Sequence, residues 1–196
     1  MYKTFGKRLF DIISSFIGVI LLSPIFIIIS ILIKLDSKGD IFYTQIRITK
    51  DFKPFKLFKF RSMRQDSSGL SITSRDDNRI TKIGKFIRKT KIDELPQLLN
   101  VLIGDMSLVG PRPEVSKYVE IKRDEYKKVL SVKAGITDNS AIEFRDEEEI
   151  LASYDDKEKA YIDIILPQKI ELYNKYIDNI NFKNDIILIL KTIKVL

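Results

Sequence analysis

The run from Arg88 to Glu114, RKTKIDELPQLLNVLIGDMSLVGPRPE, sets two adjacent carboxylates, Asp93 and Glu94, among Arg88, Lys89, Lys91 and Arg112. The chain contains no His and no Cys. That excludes a Ser-His-Asp triad, a cysteine nucleophile, a histidine base, a thiolate or imidazole zinc site and any disulfide. Catalysis is left to carboxylates, Lys, Tyr or hydroxyls. A carboxylate favours hard, oxygen-loving ions, so an associated metal is expected to be Mg²⁺ or a relative such as Mn²⁺. Arg112 stands between Pro111 and Pro113, and a planar guanidinium on a stiff turn suits phosphate or carboxylate. Each feature also has a plainer explanation: Asp93 as a helix cap with Glu94 in the first turn, and GPRP as a structural turn.

The elements that would position these groups are legible on either side. Leu95, Leu98, Leu99 and Leu102 repeat at helical spacing just after the carboxylates. Both carboxylates should then meet the free N–H groups and positive dipole of a helix start. Pro96 is tolerated only near such a start, and Gly104 ends the pattern. Upstream, IFYTQIRI and FKLFKFRS flank a polar turn around Thr49 to Asp51 and read as a strand pair. Phe55, Leu57 and Phe60 alternate imperfectly with Lys56, Lys59 and Arg61, so these cations either form a solvated face or reach toward bound phosphate, Lys59 and Arg61 in particular. Gln65 to Asn78 reads as a polar loop. Arg75 to Lys91 spaces cations around Ile80, Ile83, Phe86 and Ile87 as a short amphipathic helix would. Beyond the GPRP turn come a charged helix over Ser116 to Leu130, a loop over Val132 to Asn139, and an acidic helix start at Asp146 to Glu149. Helix follows from Lys157 to about Asn179 with an interruption at Pro167. A last helix presents Ile186, Ile189, Leu190, Ile193 and Leu196 on one face.

At 196 residues the chain suits one functional unit, and its net charge of +7 calls for an anionic partner. Ile12 to Ile33 is uncharged and, at about 1.5 Å per residue, long enough for the ~30 Å hydrocarbon core. Lys3, Lys7 and Arg8 precede it while Lys34, Lys38, Arg47 and Lys50 follow, giving both flanks a reason to stay cytoplasmic. Ser23-Pro24 lies in its middle, where proline removes a hydrogen bond and a serine hydroxyl can take the freed carbonyl. These features fit a bent, re-entrant helix, and a crossing helix remains open because proline also occurs in spanning helices.

The apolar segment with LSPI, the KFRSM run at Lys59 to Met63, DELPQLLNVLIGDMSLVGPRPE at Asp93 to Glu114 and AGIT at Ala134 to Thr137 resemble the bacterial monotopic phosphoglycosyl transferases. The resemblance covers most of the chain in order. It implies an α+β, mostly helical protein with a membrane-embedded re-entrant helix broken at Ser23-Pro24 over residues 1–38. Residues 39–196 would form a cytoplasmic catalytic domain with interfacial amphipathic helices and a small β element, on the bacterial inner membrane. It also implies transfer of a sugar phosphate from a UDP-sugar to undecaprenyl phosphate, with release of UMP. In that scheme Asp93 is the nucleophile of a covalent aspartyl-phosphosugar, Glu94 the Mg²⁺ ligand, and Arg88, Arg112 and Lys59 substrate-binding cations, to which the strand alternation alone adds Arg61. Anionic lipid would be a partner, nucleic acid would not, and a homo-oligomer is compatible.

Two departures from the family pattern matter. The usual PGITGLAQ-like run stands here as AGITDNSA, with Ala134 and Asp138 replacing Pro and Gly, which puts the identity of the sugar in doubt. The tyrosine-rich pattern near the C terminus is kept only in part, in Tyr173 and Tyr176, although Phe182, Asp185 and Thr192 fit it. A noncatalytic basic membrane scaffold or nucleic-acid tether would also explain the charge and the anchor, but it gives Asp93, Glu94 and GPRP no task.

Overall fold

The computed structural model of the protein describes residues 2–64 and 79–195. The loop expected over Gln65 to Asn78, Arg75 in the basic run and Leu196 in the last helix lie outside the described residues. A π-helical turn, Tyr2–Gly6, leads into α1, Lys7–Asp36. The hairpin β1, Phe42–Thr49, and β2, Lys53–Phe60, follows, then α2, Lys82–Lys89, and α3, Gln97–Ile103. Next come β3, Met106–Val109, the short helices α4, Ser116–Ile121, and α5, Arg123–Val129, and β4, Ala134–Thr137. The remainder is helical: α6, Asn139–Glu143, α7, Glu147–Ala152, α8, Lys157–Ala160, α9, Leu166–Asp178, and α10, Phe182–Val195.

The expected break at Ser23-Pro24 does not interrupt α1, which is assigned as one helix across Pro24. Pro24 has no N–H to offer Ile20, and the Ser23 hydroxyl donates to that carbonyl at 2.8 Å instead. The freed acceptor is therefore satisfied locally, which an apolar surrounding requires. The helix also is not apolar all round in its setting. Asp11, Ser15, Ile29 and Ile33 are buried along one side against the rest of the protein. On the opposite side Phe16, Leu21, Ile28 and Leu35 are more than half exposed, at 57%, 72%, 56% and 78%.

Both ends of α1 are fastened to the same body. Near its start Arg8 donates to the carbonyls of Val101 and Leu102 at 2.5 and 2.9 Å, satisfying acceptors at the C-terminal end of α3. Near its finish Asp36 accepts from the Ile83 N–H in the first turn of α2 at 2.9 Å. Ile29 and Ile33 pack with Phe60 and Ile87 in one cluster, each such side chain contributing about 2 kcal/mol by leaving water.

The hairpin matches the expected strands, with Phe42 opposite Phe60 and Tyr43 opposite Lys59. Two stretches read as turn and loop are strands: β3 and β4 pair in parallel, Met106 opposite Ala134. Such short segments carry too little periodicity to show themselves, since the pairing partner lies far away in sequence. The segment Ser116 to Leu130 is two helices rather than one, and Pro167 sits in the first turn of α9 as its missing N–H allows. The leucines of α3 are only half-buried, while its fully buried residues are Gln97, Asn100 and Val101. In α10, Asp185 and Leu188 are buried, whereas Leu190 and Ile193 of the expected apolar face are exposed.

Candidate active site

Asp93 and Glu94 occupy a single 3-10 turn, Ile92–Glu94, between α2 and α3. The chain enters that turn through Lys91, whose φ of 55° is left-handed, a conformation that costs a non-glycine residue about 1 kcal/mol. Lys91 is held there in part by its Nζ donating to the Arg145 carbonyl at 3.1 Å. Asp93 does not cap α3. The N-cap position is Pro96, with no side-chain cap, and Asp93 Oδ1 is buried without a hydrogen-bond partner among the described residues.

The neighbouring carboxylates differ in their partners. Glu94 Oε1 accepts from Lys59 Nζ at 2.9 Å and also from the Arg112 guanidinium, whose Nη1 reaches Oε2 at 3.1 Å. Burial would raise the pKa of Glu94, but Arg112 and then Lys59 outweigh it and hold the group well below the usual carboxylate range. Asp93, only 7% exposed, has its pKa raised by burial and by the charge of Glu94, against the pull of Lys59, Arg88 and Lys91. Glu94 in turn raises the pKa of Arg112 despite burial, so the fork is a fixed cation.

Two strands, β2 and β3, bring the cations to the dyad. Lys59 is carried by β2, whose outer edge is fixed by Asn100: its amide accepts from Phe58 N–H at 3.0 Å and donates to the Lys56 carbonyl at 2.7 Å. One helix, α3, therefore follows the dyad directly and grips the strand that supplies its lysine. Arg112 follows β3, and the turn before it is closed by Gly110 N–H to Thr137 O and Gly135 N–H to Pro111 O, both 2.9 Å. A Cβ on Gly135 would lie 2.1 Å from the Gly110 nitrogen, so this close backbone approach requires glycine. Asp11 of α1 secures β3 itself, its Oδ1 accepting from Ser107 Oγ and Leu108 N–H at 3.0 Å each.

The remaining expected residues separate. Arg88 is close enough to act on Asp93 electrostatically, but its guanidinium pairs with Glu148. Arg61 is not brought to the dyad: it is 5% exposed and donates to the carbonyls of Ser37, Lys38 and Asp40 at 2.9, 2.5 and 2.5 Å. It ties the segment after α1 to the end of β2, a role that five fixed donors perform well. Asn100 and Asp11 escaped the sequence reading, which took Arg8 only as a flanking charge. A polar residue inside an apolar helical pattern and a charge at the edge of an apolar run were the available signals.

Glu94, the expected magnesium ligand, does not fit that task as it stands, because both its oxygens are occupied by cations. Among the described residues no group of three or more carboxylates forms a cage. The unpartnered Asp93 Oδ1 is the acceptor left open.

The bacterial sugar transferase family model matches residues 2–196. The chain is similar to the uncharacterized sugar transferase EpsL of Bacillus subtilis (strain 168), 35% identical over 188 residues, 96% of this chain and 85% of the relative. It is 47% identical over 118 residues to the UDP-N-acetylgalactosamine-undecaprenyl-phosphate N-acetylgalactosaminephosphotransferase of Aeromonas hydrophila, covering 59% of this chain and 28% of the relative. It is 44% identical over 136 residues to the UDP-glucose:undecaprenyl-phosphate glucose-1-phosphate transferase of Klebsiella pneumoniae, 67% of this chain and 29% of the relative. The chain thus spans under a third of the length of these last two relatives. With a family match that runs through the helix α1, the carboxylate dyad and its cation clamp alike, the chain belongs to the bacterial sugar transferase family.

Proposed function

We propose that this chain transfers a sugar 1-phosphate from a UDP-sugar to undecaprenyl phosphate through a covalent intermediate on Asp93. The observation that carries this reading is the contrast at the dyad: Glu94 is neutralised by two cations, while Asp93 is buried and keeps an unpartnered oxygen. A carboxylate stripped of hydrogen bonds is a better nucleophile than a solvated one. Asp93 attacks the phosphorus that bears the sugar, forming an aspartyl O–P bond while the bond from that phosphorus to UMP breaks and UMP leaves with the electron pair. A phosphate oxygen of undecaprenyl phosphate then attacks the same phosphorus and restores the carboxylate. Lys59 and Arg112 offset the negative charge that builds up when one anion attacks another. The names of the Aeromonas and Klebsiella relatives support the donor and acceptor classes and differ in the sugar.

A monotopic placement, with α1 re-entrant and residues 39–196 on the cytoplasmic side, belongs to the same reading. It is supported by Arg8 and Asp36, at opposite ends of α1, both bonding to one catalytic body. The exposed apolar side of α1 would face acyl chains, and flanking lysines would face anionic headgroups.

The deciding experiment is incubation with a UDP-sugar panel and Mg²⁺ in the absence of undecaprenyl phosphate. Intact-protein mass spectrometry should show one added phosphosugar, located by peptide mapping on Asp93, with about one UMP released per site. An adduct on another residue, or UMP release only when undecaprenyl phosphate is present, would overturn the mechanism.

A further inference from the structure

We infer that Arg8 and Lys133, at the far end of α3 from the dyad, form a binding site for the phosphate headgroup of one anionic phospholipid. The inference rests on the placement of α1 in a bilayer and not on the covalent step. Helix α3 runs back along α1: Leu95, beside the dyad, packs with Ile29 and Ile33, a Cβ on Gly18 would touch Leu98 at 3.4 Å, and the helix ends on Arg8. Gly104 follows Glu94 by ten residues, roughly 15 Å at helical rise, so the two sites are separate.

Gly104 leaves α3 with a φ of 106°, and a Cβ placed on it would lie 3.3 Å from Arg8 Nη2 and 3.7 Å from Lys133 Nζ. Both cations therefore converge on one point and stand no more than roughly 7 Å apart. A phosphate whose oxygens accept charge-assisted bonds of about 2.8 Å spans that gap. Arg8 spends two of its five N–H donors on the Val101 and Leu102 carbonyls, which keeps three for a ligand without releasing α3. Lys133 supplies three more: among the described residues its ammonium makes no hydrogen bond or ion pair.

A helix C-terminus attracts cations by itself, and that accounts for Arg8, which bonds the carbonyls. It does not account for Lys133, which bonds none of them. Burial first, and Arg8 next, lower the Lys133 pKa, and nearby Asp11 and Asp105 do not restore it. Asp11 is turned to β3, where its Oδ1 takes two donors. An ammonium pressed against a second cation gains most from an anionic ligand. The surroundings select a lipid over a soluble anion. Phe5, shortly before Arg8, is 72% exposed, Leu9 and Ile12 follow on α1, and Ile103, next to Gly104, is 66% exposed. Apolar surface thus runs up to the cations, as a phosphate attached to acyl chains requires.

The test reconstitutes the full chain into bilayers of equal phosphatidylglycerol and phosphatidylcholine and counts the lipids it retains by native mass spectrometry from detergent. The wild type should keep one phosphatidylglycerol per chain. Lys133→Gln, which removes no hydrogen bond, should lower that retention about fivefold, the worth of one interfacial cation, and Lys133→Arg should restore it. Lys89→Gln removes an exposed lysine of α2 and should change nothing. Equal losses in Lys89→Gln and Lys133→Gln would mean diffuse attraction and overturn the site, as would unchanged retention in Lys133→Gln. Undecaprenyl phosphate added at equal concentration should not displace the lipid. Displacement that depends on Lys133 would give the site to the acceptor, and Lys133-dependent binding of inorganic phosphate in calorimetry would give it to a soluble anion; either result overturns the inference. A chain that enters no bilayer refutes the placement of α1 together with this inference. One that enters and shows no Lys133-dependent phosphatidylglycerol refutes the inference alone.

Discussion

Among the described residues, the carboxylates Asp11 and Asp185 and the carboxylates Asp93 and Glu94 are finished differently. At Asp185 both oxygens have partners: Oδ2 accepts from Tyr2 and from Lys7 at 2.6 Å each, and Oδ1 from Tyr176 at 2.9 Å. Asp11 Oδ1 takes two donors from β3. At Asp93 and Glu94 one carboxylate takes the cations and the other keeps a bare buried oxygen. A saturated buried charge fixes geometry, and an unsaturated one stores reactivity at a cost in stability. The first pair joins the N-terminal segment, α9 and α10 to β3; the second leaves one buried acceptor open.

The largest effect should separate the pairs outright. Asp93→Asn should lower turnover by at least ~10³-fold, because the amide cannot form the intermediate. Measured by UMP release, near-normal turnover in this variant would erase the distinction between reactive and structural pairs. Stability should move the other way. Asp93 is a carboxylate whose folded pKa lies above its unfolded value, so the folded state binds more protons between the two and stability falls as pH rises through that window. Denaturant titrations should show the wild type losing stability from the ordinary carboxylate range upward, and Asp93→Asn lacking that loss. Turnover, which needs the ionised form, should fall as pH drops through the raised pKa.

Asp185→Asn should behave oppositely, losing about 3 kcal/mol by leaving Lys7 without its buried partner. The folded fraction should still form the Asp93 adduct. Complete loss of adduct in a folded Asp185→Asn protein would show that the second pair shares in the chemistry. A smaller effect tests Arg61, which is saturated by carbonyls: Arg61→Gln should cost about 2 kcal/mol in thermal or denaturant unfolding and leave the KM for the UDP-sugar unchanged. A raised KM with intact stability would return Arg61 to the substrate. The smallest effect is at Ser23→Ala, about 1 kcal/mol or less, since it removes one hydroxyl bond to Ile20 in a helix otherwise intact.

The sequence by itself determined the long apolar helix, the hairpin, the short basic helix, and the stretch that holds the candidate dyad. Each is encoded by neighbours: an uncharged run, a two-residue alternation, a helical spacing, and breakers beside carboxylates. It also excluded histidine and cysteine chemistry, because absence needs no fold. Tertiary structure decided which member of Asp93-Glu94 is paired, because Lys59 and Arg112 arrive from distant segments. It decided that Arg61 serves the fold while Lys59, two residues earlier, serves the dyad, since adjacent strand ends differ in what packs against them. It paired β3 with β4 and gave Asn100, Arg8 and Asp11 their tasks. A side chain's charge is written locally; whether that charge is saturated depends on groups far away in sequence, and only folding brings those together.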